Sequence, residues 1–410
     1  SDTVKQVEDR TGRYFHPVLS GNTNNNAMDF SWPKHYTHYR EEVIAFAKET
    51  LNENLIERDQ EGLFSRQLWQ KCADYGILGL AAPKRYGGQQ EEVDLLFAML
   101  AMEGFGYGCK DNGLALGLNA QMWTVQIPIA HFGSEAQKEK YLTAFTSGKW
   151  IAAHALTEPN AGSDIFSMET LAEKTEGGYI LNGKKHLITL APEADVALVF
   201  ANINPKLGKW GVTAFLIDKG TPGFTALPTN SKMGLRTVPI GAFEFKDCFI
   251  PTEHRLGGEG AGFSILNYSL EYDRCCILAS QLGTMERQLE ETIAFVKERQ
   301  QFGQPIGKFQ SVSNRIADMK LRLETSRLLL YKVAWLKRQG KSALMEAALL
   351  KLQLSESFVA SSMDAIRSRG GIGFLTATEV ERDMRDAVGG VLYAGTSDIQ
   401  RSIIAKLLGL

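Results

Sequence analysis

The hydrophobic period of the chain changes twice, and those two changes limit its fold more than any other feature. From His38 to about Gly148, apolar residues recur three and four positions apart: Val43, Phe46, Ala47 and Leu51, then Leu63 through Leu78, then Val93 to Met102. That spacing places them on one face of a helix. Near Trp150 the pattern shortens to β-type runs broken by glycine and proline. Tyr179 to Thr189 reads as a hairpin or tight turn between strands, and Ala197–Phe200, Thr213–Ile217 and Gly241–Phe245 read as further strands. After the glycine hinge Gly257-Gly258-Glu259-Gly260-Ala261-Gly262 the helical period returns and runs to Leu410, with a break at Arg369 to Gly373. Gln310 to Arg338 and Ser342 to Met363 are long amphipathic segments suited to a bundle. The expectation is an α+β chain: an N-terminal helical domain over 28–150, a middle β domain over 151–262 and a C-terminal four-helix bundle over 263–410. Residues 1–27 are polar, include Gly21-Asn22-Thr23-Asn24-Asn25-Asn26, and read as a flexible extension or tag.

Composition narrows the function classes. The 410 residues suffice for two or three domains, and a net charge of -2 gives no global reason to expect nucleic acid or an anionic membrane as partner. The five cysteines are odd in number and lack C-x-x-C spacing, so neither a disulfide framework nor a metal site is expected, and a reducing cytoplasm is the natural compartment. No apolar run is long enough to span a bilayer.

One loop carries chemistry. In Ala155-Leu156-Thr157-Glu158-Pro159-Asn160-Ala161-Gly162-Ser163-Asp164, the proline, asparagine and glycine forbid a helix or an interior strand, so the segment is a turn whose amides serve something other than a ladder. Small polar side chains surround those amides, as suits a large polar cofactor with phosphates. An ordinary β-turn is the competing reading. These ten residues match the flavin-binding signature of the acyl-CoA dehydrogenase family, which the chain resembles from about Met28 to Leu410.

The resemblance implies FAD as cofactor, with Leu156, Thr157, Gly162 and Ser163 of the loop binding it. Thr157 meets the pyrimidine edge, Ser163 the phosphates, and Thr189 approaches the flavin N5. Arg299-Gln300-Gln301-Phe302-Gly303 resembles the segment whose Arg299 and Phe302 reach the FAD of a neighbouring subunit, with Gln310 at a matching glutamine. Arg367, Gly370 and Gly371 fall in another cofactor segment, and Thr396 and Asp398 in a last one. Arg367 stands where relatives generally have glutamine and is expected to meet a phosphate or face solvent. A site built between subunits implies a homo-oligomer, usually a tetramer.

Oxidation beside a thioester requires a base at the Cα proton. In most of the family that base is a glutamate in a Y-E-G-T segment; here the segment is Tyr393-Ala394-Gly395-Thr396, leaving Ala394 only a backbone N–H for the thioester carbonyl. A subset that includes isovaleryl-CoA dehydrogenase takes its base from the post-hinge helix, just before an arginine. Alignment puts Asp273 there, before Arg274, with Glu271 two residues earlier. Residues two apart on a helix point about 200° from one another, so one of the two faces the flavin. Alignment favours Asp273, reach favours Glu271, and Tyr393 and Arg274 are the expected substrate neighbours.

Leu187 replaces a tryptophan that covers the flavin in many relatives, with His186 before it and His154 ahead of Thr157. A cationic imidazole beside reduced flavin would favour oxygen as acceptor. Within the family the chain looks most like the prolyl-carrier-protein oxidase branch that begins pyrrole and anatoxin-type biosynthesis. That implies oxidation of a carrier-bound prolyl thioester, with oxygen as acceptor. The alternatives are a short or branched-chain acyl-CoA dehydrogenase using an electron-transfer flavoprotein, and a flavin-binding structural protein that has lost catalysis.

Overall fold

The computed structural model describes residues 31–228 and 231–410. The segment 1–27, read as an extension or tag, lies outside the described residues. The long helices are α1 (Lys34–Thr50), α2 (Leu95–Gly108), α3 (Asn112–Gln121), α4 (Gly262–Cys276), α5 (Ala279–Glu298), α6 (Gln310–Arg338), α7 (Leu344–Arg369), α8 (Val380–Gly390) and α9 (Ser397–Leu407), with shorter helical pieces between them. Strands β1 (Ala152–Ala155), β2 (Leu171–Thr175), β3 (Gly178–Thr189), β4 (Val196–Asn202), β5 (Val212–Asp218), β6 (Phe224–Pro228), β7 (Ile240–Pro251) and β8 (Arg255–Leu256) lie between α3 and α4.

Helix α2 is apolar on every side and buried along nearly its whole length, so it is a central core element rather than a surface one. Asp94 starts it, accepting hydrogen bonds from the backbone N–H groups of Leu96 and Phe97 at 3.0 and 3.2 Å. Where α2 crosses α5 the backbones nearly touch: a Cβ on Gly106 would stand 1.7 Å from the Ser280 carbonyl oxygen, and one on Gly283 1.8 Å from that of Glu103. The buried Glu103 carboxylate accepts from Arg327 of α6 at 2.8 and 3.0 Å and from the Tyr331 hydroxyl, locking the N-terminal helices to the bundle.

The sheet runs in the order β6-β7-β3-β2-β4-β5-β8, with β1 paired in parallel to β4. Every residue of β4 is buried, and its side chains divide between two layers. Leu198 and Phe200 join Tyr141, Phe145, Ile265 and Leu266 on the helix-covered face, while Ala197, Val199 and Ala201 join Tyr179, Phe243 and Phe245 on the other. One expectation fails here. Tyr179 to Thr189 lies within a single 12-residue strand, β3 (Gly178–Thr189), not a hairpin. Asn182-Gly183 carries turn chemistry, but the glycine is absorbed as an irregularity in the pairing with β7, where the register shifts between Leu181 and Gly183. The turn lies earlier, between Thr175 and Gly178, where β2 meets β3.

Candidate active site

Strand β1 brings His154 and Ala155 alongside Leu198 and Val199 of β4, and the chain then enters the Leu156–Asp164 loop. Glu158 and Ala161 exchange backbone hydrogen bonds of 3.0 and 3.2 Å, closing the loop on itself. The amides of Gly162 and Ser163 and the Thr157 hydroxyl have no partner among the described residues. A Cβ on Gly162 would meet nothing within 4 Å, so the loop offers open space beside free donors.

Two residues that the sequence did not single out for a role hold this loop. Lys185 of β3 is wholly buried, and its Nζ donates to Glu158 Oε1 at 2.7 Å and to the Leu156 carbonyl at 3.1 Å. The remaining lone pairs of Glu158 take the N–H groups of Glu169 and Thr170 at 2.5 and 3.1 Å. Burial drives the Lys185 ammonium down to about 8 against the pull of Glu158, yet it stays protonated at neutral pH. The His186 N–H donates to the Thr157 carbonyl at 2.8 Å, a third tie between loop and strand.

A second irregularity in the β3–β7 pairing lies between Lys185 and Ile188. Leu187 adopts φ 55° there and turns outward, leaving the side chain 60% exposed. Thr189 follows, its hydroxyl unpartnered among the described residues. An apolar face framed by two free threonine hydroxyls suits a flat heteroaromatic ring better than a round aliphatic one.

His154 corrects one expectation. Burial, then the Lys185 ammonium, push its imidazole down to about 4, and its buried Nε2 has no hydrogen-bond partner among the described residues. The ring is neutral at physiological pH, so it supplies no cation to favour an oxygen anion.

A separate group gathers on the bundle. Arg299 and Phe302 sit on the hairpin formed by β9 (Gln300–Gln301) and β10 (Gln304–Pro305), with Phe302 at φ 51° and 93% exposed. With Arg367, Gly370 and Gly371 they line a cavity of about 760 Å³. Gln310 opens α6 beside this cavity. Arg367 lies 3.9 Å from Asp364 and is mostly exposed. The Thr396 hydroxyl caps α9 by accepting the Ile399 N–H at 3.2 Å, and Asp398 is exposed in the first turn, paired with Arg401 at 3.4 Å.

The two candidate carboxylates point apart. Glu271 is tied to Lys337 of α6, whose ammonium also stands 4.7 Å over the Tyr272 ring. Asp273 is buried, and its Oδ1 has no partner among the described residues. Burial raises its carboxyl to about 6, with Arg274 and Lys351 pulling the other way. Tyr393 lies within its electrostatic reach, and the Tyr393 hydroxyl accepts from Gln281 at 2.9 Å. Ala394 takes φ 53°, its carbonyl held by Gln400 Nε2 at 3.3 Å, while its own N–H finds no partner among the described residues. An acid raised by burial thus lies within electrostatic reach of a segment with a free amide donor. That combination is chemically suited to taking a proton next to a polarised carbonyl.

Comparison with known proteins agrees. Family models described as acyl-CoA dehydrogenase N-terminal, middle and C-terminal domains match residues 33–149, 153–248 and 260–409. An L-prolyl-[peptidyl-carrier protein] dehydrogenase of Serratia sp. is 43% identical over 93% of this chain and 99% of its own. The crystal structure of the prolyl acyl carrier protein oxidase AnaB superposes with a TM-score of 0.91 at 48% identity, covering 93% of this chain and all (100%) of that one. PigA, solved with FAD and proline, gives 0.91 at 42% identity over 93% of this chain and 100% of its own. This chain belongs to the acyl-CoA dehydrogenase family.

Proposed function

We propose that the protein is an FAD-dependent oxidase of an aminoacyl thioester, converting L-prolyl on a carrier protein to a pyrroline-carboxyl thioester. The observation that carries the reading is the buried carboxyl of Asp273, its Oδ1 without a partner among the described residues, within electrostatic reach of Tyr393 in the segment where alanine replaces the acid usual in the family. The prolyl substrate is supported by the likeness to the Serratia dehydrogenase, to AnaB and to PigA.

The donor set fits FAD. The threonine hydroxyls, the free amides of Gly162 and Ser163 and the outward Leu187 suit the ring and its polar rim, and the exposed Arg299, Arg367 and Phe302 suit the phosphates and bases of a dinucleotide shared between copies. When bound, FAD supplies the hydride acceptor. Asp273 takes the Cα proton as its carboxylate, the Ala394 N–H receives the thioester carbonyl as negative charge develops on it, and the buried wall of α4 excludes water. Glu271, committed to Lys337, serves α4 and not the reaction.

Oxygen is the proposed acceptor, supported by Leu187 in place of a covering tryptophan and by likeness to an oxidase, not by His154. A homotetramer is the proposed assembly: Phe302 and Phe374 are 93% and 82% exposed, as expected of side chains that a second copy covers. The five cysteines are all free and buried, which suits a cytoplasmic protein, and among the described residues no helix is long and apolar enough to cross a membrane.

The test is anaerobic mixing of the FAD-loaded enzyme with L-prolyl-carrier protein and, separately, with a short branched acyl-CoA, followed by air. Bleaching by the prolyl thioester and return of colour with hydrogen peroxide in air support the reading. Bleaching by the acyl-CoA alone assigns a conventional dehydrogenase, colour that returns only with an electron-transfer flavoprotein replaces oxygen as acceptor, and no bleaching by any thioester assigns a binding protein.

A further inference from the structure

Lys351 lies about two turns into α7, with no exposed surface, and its Nζ has no hydrogen-bond partner among the described residues. A buried ammonium without a partner is costly and calls for a reason. The two helices packed against α7 carry three more unmatched buried atoms: Asp273 Oδ1 and Arg274 Nε on α4, and Gln281 Oε1 on α5. Helix α7 packs against both α4 and α5, and none of these four polar groups satisfies another. Asp273 and Lys351 feel each other's charge, yet form no ion pair within bonding distance.

We propose that Lys351 is a positioning residue for Asp273, a cation fixed in the adjacent helix that holds the carboxylate ionised without taking its free oxygen in a hydrogen bond. The inference rests on the reading of Asp273 as base. Its charge state is consistent: burial brings Lys351 down to about 8 and Asp273 up to about 6, so both are ionised between those values. The other groups facing them are few. Arg274 acts on both, Glu356 acts on Lys351, and the buried Tyr393 hydroxyl and Cys276 thiol, raised by burial, stay neutral near pH 7. Lys351 and Arg274 are therefore the cations that favour the carboxylate. The arrangement differs from a structural salt bridge, whose partners close to hydrogen-bonding distance.

The experiment measures anaerobic flavin reduction by L-prolyl-carrier protein against pH in the holoenzyme and in K351M, K351R, D273N and K351M/D273N. Methionine matches the lysine stem in length and removes an ammonium that has no hydrogen-bond partner, and the Asp273 carboxyl, already raised by burial, meets the loss by holding its proton, so that no lone charge is left buried. The expected result is a pH midpoint about one unit higher in K351M, so that its rate is about tenfold lower below the midpoint and approaches that of the parent at high pH. K351R keeps the parental midpoint, and K351M adds nothing on top of D273N. A readout free of turnover accompanies it: the acid-side inflection of thermal unfolding against pH, which D273N removes, moves upward in K351M. An unchanged midpoint and inflection in K351M, or an equal loss at every pH, overturns the inference while leaving Asp273 as base. A D273N enzyme that reduces flavin at the parental rate overturns both.

Discussion

Two buried lysine–carboxylate pairs, one under the loop and one in the bundle, differ in one respect. Lys185 and Glu158 are closed at 2.7 Å, with the remaining Glu158 lone pairs filled by backbone N–H groups. Lys351 and Asp273 are also buried but stand apart, each with an orphaned atom. The closed pair fixes a loop. The open pair leaves valence for a third party, which is how a substrate-facing acid differs from a structural one.

The sharpest way to break this contrast is to remove the acid from each pair. Glu158→Gln leaves Lys185 buried with a weakened partner and is expected to destabilise the fold by about 3–5 kcal/mol, read as a lower unfolding midpoint and loss of bound FAD on gel filtration. Asp273→Asn has the opposite sign. The folded carboxyl titrates near 6 and the unfolded one near 3.8, so between those values the native state holds a proton that the unfolded chain has released. Stability therefore falls as pH rises through that window and stays lower above it. Removing the acid is expected to raise stability by up to about 3 kcal/mol above pH 6, with the gain vanishing near pH 4, checked by thermal unfolding at several pH values. If both variants destabilise equally, the two pairs are alike and the contrast fails.

Smaller effects sharpen the picture. Thr157→Ala removes one hydroxyl from the loop without touching the Lys185–Glu158 clamp, and it should weaken FAD by about 1 kcal/mol, roughly fivefold in Kd by titration of the apoprotein. Leu187→Trp, which covers the outward face, should slow reoxidation in air by a few-fold, about 0.5–1 kcal/mol in the barrier, and leave anaerobic reduction by substrate unchanged.

Much of the architecture was legible because periodicity reports burial directly: α6 begins and ends at Gln310 and Arg338, the bounds of the apolar period itself. The loop was legible because proline, asparagine and glycine exclude the alternatives. Strand β3 was misread because local turn chemistry at Asn182-Gly183 yielded to pairing with β7. The buried lysines were missed because lysine is usually solvated. A signal existed for one of them: Lys351 shares a helical face with Ala347, Leu354 and Phe358, all buried, so it is a charge at a core position of an otherwise apolar stripe. The neutrality of His154 left no trace in sequence, since it depends on burial and on a lysine 31 positions later in the chain.

The decisive measurement is rapid anaerobic mixing of parent and D273N holoenzymes with L-prolyl-carrier protein, matched for bound flavin. The parent should bleach, and D273N should bleach at least about a hundredfold more slowly with its oxidised spectrum unchanged. Equal rates in the two would show that the proton leaves to some other group and that the open carboxyl on α4 is not the base.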